Sequence, residues 1–244
     1  MRSWTAGIAG IVALAVIIAA SYATLSISLS AGIVLSAVLG MGWPHYLGVP
    51  AKKTLGSVIA LTGACASVTA ALTPGPGYLS WLPVFLAVGV GAVFVVQLVR
   101  GTGQSHRLES TLGASAGVLL AGLGSGWIAS HRFTGETAMT LIAGVSALVA
   151  LLIGMIRWPD RVIAPLAIIL AALAGPLAAL LFSEVHIIQA AIIGAVIAAV
   201  LMSFRRLGTA AGRPRNVQGA IAMGIAPLGA LGALVYFIDK LLIT

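Results

Sequence analysis

The residue types that most often carry catalysis are few in this chain and far apart. Five acidic residues occur among 244, and four histidines and one cysteine complete the common metal ligands. The acids are Glu109, Glu136, Asp160, Glu184 and Asp239, each in a different segment. Phosphoryl transfer needs clustered carboxylates to hold Mg²⁺, and no two histidines have the spacing of a zinc site. The sequence therefore predicts a protein that is not an enzyme and that has no metal site and no cofactor. The alternative prediction is an intramembrane transferase.

Arginine and lysine, in contrast, follow a recurring pattern. Arg100 and Arg107 are seven residues apart, and the same interval separates Arg206 from Arg213. Because guanidinium groups bind phosphate through charge-assisted, bidentate hydrogen bonds, these segments predict a site for an anionic lipid headgroup. The candidate ligands are Lys52, Lys53, Arg100, Arg107, Arg157, Arg161, Arg206 and Arg213. The alternative is that these residues only orient the chain against an anionic leaflet.

Composition indicates where these side chains must be placed. Hydrophobic residues make up 60% of the chain, charged residues 7%, and the mean hydropathy is +1.14. Soluble domains have roughly a quarter of their residues charged. Apolar runs near the length of a membrane span lie at about 5–22, 25–42, 54–72, 81–99, 111–130, 138–156, 162–182, 187–203 and 217–238. We therefore predict an all-α polytopic protein of nine transmembrane helices, forming one membrane domain over residues 1–244.

The charges predict an orientation for these nine spans. No charged residue interrupts 5–43, which is too long for one crossing, so we predict a tight turn at about 21–25. With the N-terminus inside, all 13 Lys and Arg residues except Arg132 and Lys240 fall in cytoplasmic segments. This bias is typical of plasma-membrane proteins and predicts an N-in, C-out topology. The spans have no charged residue at their centres, which argues against a proton relay.

Aromatic residues and prolines suggest further roles. Trp43 and Trp158 fall at ends of apolar runs, and we interpret both as interfacial anchors. Pro176 and Pro227 lie inside runs, where loss of a backbone hydrogen bond predicts a kink or a break. A broken helix can present backbone groups to a substrate at mid-membrane depth, whereas a simple kink has no such role.

The fifth run and the loop residues indicate further organisation. The glycines of the fifth run predict close packing along much of its length; they are Gly113, Gly117, Gly122, Gly124 and Gly126.

The Gly-Met-x-Trp-Pro pattern ending at Pro44 returns, with one extra residue, ending at Pro159. Together with the repeated arginine interval, this predicts two four-helix units, at about 5–100 and 111–206, and an additional helix at about 217–238. An even number of helices per unit predicts a parallel repeat, as in some transporters.

One stretch of the chain resembles known sequences. Residues 42–50, Gly-Trp-Pro-His-Tyr-Leu-Gly-Val-Pro, and residues 107–110, Arg-Leu-Glu-Ser, resemble multi-pass, permease-like membrane proteins of actinobacteria that have no defined activity. The resemblance covers most of the chain and implies a bacterial plasma membrane, but it assigns no functional residue.

Two classes of function agree with these patterns. The first is a bacterial plasma-membrane permease that handles an anionic lipid or a lipid-linked envelope precursor. The second is a non-catalytic accessory or scaffold subunit of a membrane complex. The partners expected in either case are anionic membrane lipids and a membrane-protein partner or a second copy of the chain. Nucleic acid is not expected, because the basic residues are juxtamembrane pairs.

Overall fold

The computed structural model describes residues 2–49, 51–100, 107–133, 137–156, 158–182, 185–210 and 216–243, which form ten helices. The helices are α1 (Arg2–Ser21), α2 (Leu25–Leu47), α3 (Lys52–Leu72), α4 (Leu82–Val99), α5 (Arg107–Leu123), α6 (Gly126–Phe133), α7 (Ala138–Gly154), α8 (Asp160–Phe182), α9 (Ile187–Ala210) and α10 (Val217–Ile243). The all-α prediction is confirmed.

Most of these helices have the length and composition of membrane spans. Eight segments among the described residues are long and apolar enough to cross a bilayer, with α5 and α6 together counting as one of them. Helix α7 is a shorter apolar helix of 17 residues. The chain is therefore a multi-pass membrane protein, and the number of nine spans stays a prediction.

The helix ends meet at two faces. At one face the end of α2 meets the start of α5, because the Trp43 indole Nε1–H donates to Gly113 O at 2.8 Å. At the same face the end of α9 meets the end of α7, where Arg205 Nε donates to Gly154 O at 2.9 Å. We call this the basic face, because the helix ends there include Lys52, Lys53, Arg100, Arg107, Arg161, Arg205 and Arg206.

The opposite face is formed by the other ends of the same helices. Arg132, in α6, donates from Nη1 to Ala70 O at 3.0 Å and to Thr73 O at 2.8 Å, at the end of α3. The Tyr236 hydroxyl, in α10, donates to Pro76 O at 3.0 Å in the segment that follows α3. The helices therefore run alternately up and down between the two faces.

Helix α10 forms the centre of the bundle. It packs against α1, α2, α5, α6 and α9, whereas the main contacts of α4 are with α3 and α5. The most apolar part of α10 is 61% buried, compared with 22% for α4. Most apolar side chains of α4 therefore face outward, toward the lipid of a membrane.

Small residues allow the helices to pack closely. Gly40 of α2 lies against Gly56 of α3, where an added Cβ on Gly56 would overlap the Gly40 carbonyl. Gly175 of α8 and Gly194 of α9 make similar backbone contacts across their pair. Lipid tails are as apolar as leucine, so close van der Waals packing of small residues is a main source of attraction between membrane helices.

The predicted turn and the prolines have different outcomes. The tight turn at about 21–25 is confirmed, since α1 ends at Ser21 and α2 begins at Leu25. Pro176 and Pro227 lie inside α8 and α10, and both helices continue past them. Neither proline therefore breaks its helix, and the kink expected at each of them stays a prediction. The break occurs instead between α5 and α6, without any proline.

The repeat stays a prediction, and the packing shows where its two units differ. In both units consecutive helices pack together, α2 with α3 and α4 with α3, and likewise α7 with α8 and α9 with α8. Helix α9 also packs extensively on α7, whereas the corresponding α4 packs on α3 and α5. Arg100 follows the end of α4, but its predicted counterpart Arg206 lies within α9.

Candidate functional site

A partly open cavity lies between the opposite face and the middle of the bundle. This cavity of about 50 Å³ is lined by residues of α1, α2, α5, α6, α7 and α10. We call it the hydroxyl cavity, after the four polar side chains in its wall, which are Ser21, Ser28, Ser36 and Thr140. The rest of the described wall is apolar or glycine and includes Trp127, with no charged side chain.

The serine protons in the cavity wall are used by the backbone. Ser28 Oγ donates to Ala20 O at 2.7 Å and thereby ties α2 to the end of α1. Ser36 Oγ donates to Gly32 O at 2.8 Å within α2. A hydroxyl that donates in this way still has lone pairs that can accept. The cavity can therefore accept hydrogen bonds from a neutral polar group, but it offers no charge for an ion.

The break between α5 and α6 borders this cavity. Gly124 and Ser125 separate the two helices, and Gly124 is part of the cavity wall. Ser125 stabilises the turn, because both its backbone N–H and its Oγ donate to Gly122 O, at 3.0 and 2.7 Å. Ser125 is fully buried. An interrupted helix thus lies inside the membrane domain, where backbone irregularity is tolerated only beside protein or a cavity.

The break follows from the glycines and from the helix that packs on them. Each glycine weakens a helix by about 1 kcal/mol relative to alanine, and Gly122, Gly124 and Gly126 alternate through this segment. Helix α10 crosses here so closely that a Cβ on Gly126 would overlap the backbone of Ala233. A Cβ on Gly229 of α10 would overlap Leu120 O in return. The glycines were expected to allow close packing, and they do so across a break that was not predicted.

The basic face shows which predicted headgroup ligands are accessible. Lys52 and Lys53 are exposed in the first turn of α3, which starts directly after the left-handed Ala51 (φ 57°). Arg161 and Arg206 are also exposed. Arg157 and Arg213 lie outside the described residues. These exposed cations form a charged surface.

Arg100 and Arg107 are different, because the structure brings their helix ends together. Arg107 Nη2 donates to Gln97 O at 3.0 Å, which joins the start of α5 to the end of α4. Gln97 Nε2 donates to Ser110 Oγ at 2.7 Å directly beneath, and both side chains are buried. Arg100 follows Gln97 by one helical turn, and one of its terminal nitrogens, Nη1, is shielded from solvent. This is the most structured part of the basic face.

Arg205 was not distinguished from the other basic residues by the sequence. It forms an ion pair with Asp160, and it also donates to the carbonyls of Gly154 and Ile156, at 2.9 and 3.4 Å. These acceptors lie at the end of α7 and just after it, so Arg205 joins α7, α8 and α9 at the basic face. The sequence shows an acidic residue, Asp160, near the start of α8, but it does not indicate that Arg205 is the partner of Asp160.

Asp239 also differs from its sequence-based interpretation. It follows the ninth predicted span, at about 217–238, but it lies within α10 and is 0% exposed. Ser130 Oγ lies 3.4 Å from Asp239 Oδ2. Nearby, Arg132 stacks 4.4 Å from the centre of the Tyr78 ring. The opposite face is thus closed by a buried polar cluster that sequence reasoning missed, because α10 continues past the end of the apolar run.

The two predicted tryptophan anchors have different environments. Trp158 is 56% exposed, as an interfacial side chain would be. Trp43 is only 8% exposed, and its indole nitrogen bonds to Gly113 O, so its ring packs inside the bundle and its role as an interfacial anchor stays a prediction. Trp43 fixes α2 against α5. The sequence feature that fits this contact is Gly117 of α5, because a Cβ at Gly117 would overlap the Trp43 ring.

Comparison of the chain with protein-family models, with curated proteins and with solved structures finds no match.

Proposed function

We propose that this multi-pass membrane protein is a permease of the bacterial plasma membrane, and that the hydroxyl cavity is part of its transport path. The observation that supports this most is the interrupted α5–α6 segment beside the cavity. Discontinuous helices are a recurrent feature of transporter binding sites, and here the turn between α5 and α6 places Gly124 in the cavity wall. A rigid scaffold has no need of a cavity at its interrupted helix.

The lining of the cavity restricts the chemistry of the cargo. An ion or a strongly charged solute would lose its hydration there without gaining a countercharge, which is costly. An uncharged or mainly apolar group fits, with the wall hydroxyls as acceptors. Any negative charge would instead meet the arginines and lysines of the basic face. This division favours an amphiphile, namely an anionic lipid or a lipid-linked envelope precursor.

A transbilayer movement assay tests the proposal. The purified protein is reconstituted in vesicles of phosphatidylcholine and phosphatidylglycerol that contain fluorescent phosphatidylglycerol, and dithionite quenches the outer leaflet. We expect the wild type to raise the transfer rate well above that of empty vesicles. Ala31→Leu adds three carbons to the cavity wall. Overpacking costs about 1–3 kcal/mol, so an equal rise in the transport barrier would slow transfer about tenfold.

Ser30→Leu is the matched control, because Ser30 is the adjacent residue on α2 but is exposed and bonds only to Ser26 O within its helix. It should keep the wild-type rate. Gel filtration and thermal unfolding check that both variants are folded. Equal rates with wild-type protein and with empty vesicles would argue against a lipid permease and favour the accessory-subunit alternative.

A further inference from the structure

We propose that the basic-face ends of α4 and α5 form a binding site for an anionic phosphate group, with Arg100 and Arg107 as its ligands. We further propose that this phosphate is the headgroup of a membrane phospholipid. Binding at this site is an equilibrium property, so it does not depend on whether the protein transports lipid. It distinguishes these two arginines from the other basic residues of the same face.

Buried neutral side chains fix the geometry of the site. Arg107 Nη2 donates to Gln97 O at 3.0 Å, and Gln97 Nε2 donates to Ser110 Oγ at 2.7 Å. Gln97 and Ser110 are 3% and 4% exposed, so this bridge is held inside the protein. The bridge occupies one nitrogen of Arg107. A guanidinium has five N–H donors, so the remaining donors of Arg107 can bind an anion.

Arg100 supplies the observation that indicates an anion. Its Nη1 is shielded from solvent and has no hydrogen-bond partner among the described residues. A cationic donor that has lost water without gaining an acceptor is destabilising. A phosphate oxygen would satisfy it through a short, charge-assisted hydrogen bond.

The surface beside the site favours a lipid as the source of the phosphate. The last turns of α4 expose apolar side chains up to Arg100, with Val95 57%, Leu98 67% and Val99 81% exposed. Acyl chains can lie along this surface while the headgroup reaches the arginines. A free phosphate ion would gain nothing from these contacts, so the lipid should bind more tightly than the ion.

Arg206 provides a matched control within the same face. The predicted repeat pairs it with Arg100, but it is exposed on α9 and belongs to no buried bridge in the described part of the chain. Replacing it by glutamine removes the same charge. A general attraction to the anionic leaflet would respond equally to the loss of either arginine, whereas a defined site would not.

Native mass spectrometry of the protein in a neutral detergent tests the site. The probes are phosphatidylglycerol, phosphatidylcholine and inorganic phosphate at matched concentrations. We expect wild type to retain phosphatidylglycerol in preference to phosphatidylcholine. Arg100→Gln and Arg107→Gln each lose a charge-assisted hydrogen bond to the phosphate, so each should lower phosphatidylglycerol occupancy about tenfold. Arg206→Gln should stay within about twofold of wild type, because an exposed, solvated charge contributes little.

The other outcomes each contradict a part of the proposal. An equal loss of lipid in Arg206→Gln would show attraction by net charge without a defined site. Unchanged occupancy in Arg100→Gln and Arg107→Gln would remove the site altogether. Inorganic phosphate bound as well as phosphatidylglycerol, and lost in the same two variants, would overturn the lipid assignment. Circular dichroism and gel filtration verify folding, and if Arg100→Gln does not fold, Arg107→Gln decides the question.

Discussion

At the scale of single residues, hydrogen-bond partners distinguish side chains that have the same chemistry. Trp127 is 9% exposed, and its indole Nε1–H donates to Leu228 O at 2.8 Å, which joins α6 to α10 beside the hydroxyl cavity. Trp81 is 53% exposed at the start of α4. A buried donor that keeps its acceptor contributes to stability, whereas an exposed ring lies in lipid or headgroups.

Trp127→Phe removes this indole donor and leaves Leu228 O without it. We expect the free energy of unfolding to fall by about 1 kcal/mol, as found for single hydrogen bonds in soluble and membrane proteins. The measurement is a reversible unfolding titration with sodium dodecyl sulfate in mixed micelles. Trp81→Phe, the same change at an exposed site, should have almost no effect. Equal losses in the two variants would show that the Trp127 hydrogen bond adds no stability.

At the scale of helices, glycine has two distinct uses in this protein. Gly126 starts α6 against α10, and a Cβ there would overlap the backbone of Ala233. Gly91 lies within α4, and a Cβ there would meet no atom within 4 Å. The first glycine is required by a close approach between helices. The second only lowers the helix propensity of a peripheral, lipid-facing helix.

Gly126→Ala should therefore destabilise the protein, because α6 must move away from a backbone that cannot yield. We expect a loss of about 1–3 kcal/mol or more in the free energy of unfolding, the cost of overpacking. Gly91→Ala should be neutral or stabilise by up to about 1 kcal/mol, since alanine is the better helix former. The same micelle titration measures both. A Gly126→Ala protein as stable as wild type would show that the α6–α10 contact is loose.

At the scale of the whole molecule, the charge is distributed unequally between two faces. Four exposed cations lie at the basic face, namely Lys52, Lys53, Arg161 and Arg206. The polar cluster around Arg132 and Asp239 lies at the opposite face. Because cytoplasmic segments retain lysine and arginine, this distribution predicts that the basic face lies inside the cell. The proposed phosphate site would then bind lipids of the inner leaflet.

Cysteine labelling of intact cells tests this orientation. Cys65 is exposed on α3, so it is first replaced by serine. Ser80→Cys, an exposed position between α3 and α4 at the opposite face, should react with an impermeant thiol reagent added outside. Thr209→Cys, exposed near the end of α9 at the basic face, should react only after the cells are permeabilised. The reverse pattern would contradict the N-in topology.

Composition and hydropathy were enough for the fold class, for the tight turn before α2 and for the ends of the helical segments to within seven residues. These features are local, because in hydrocarbon each segment must satisfy its own backbone hydrogen bonds, and an apolar run of this length does so as a helix. The residues around Gly124 lie in such a run and yet form a break, because α10 packs against them. Tertiary structure alone also decided that Trp43 and Asp239 are buried and that Arg205 pairs with Asp160. The physical reason is that lipid tails and neighbouring helices are equally apolar, so hydropathy does not reveal which side of a helix faces the protein.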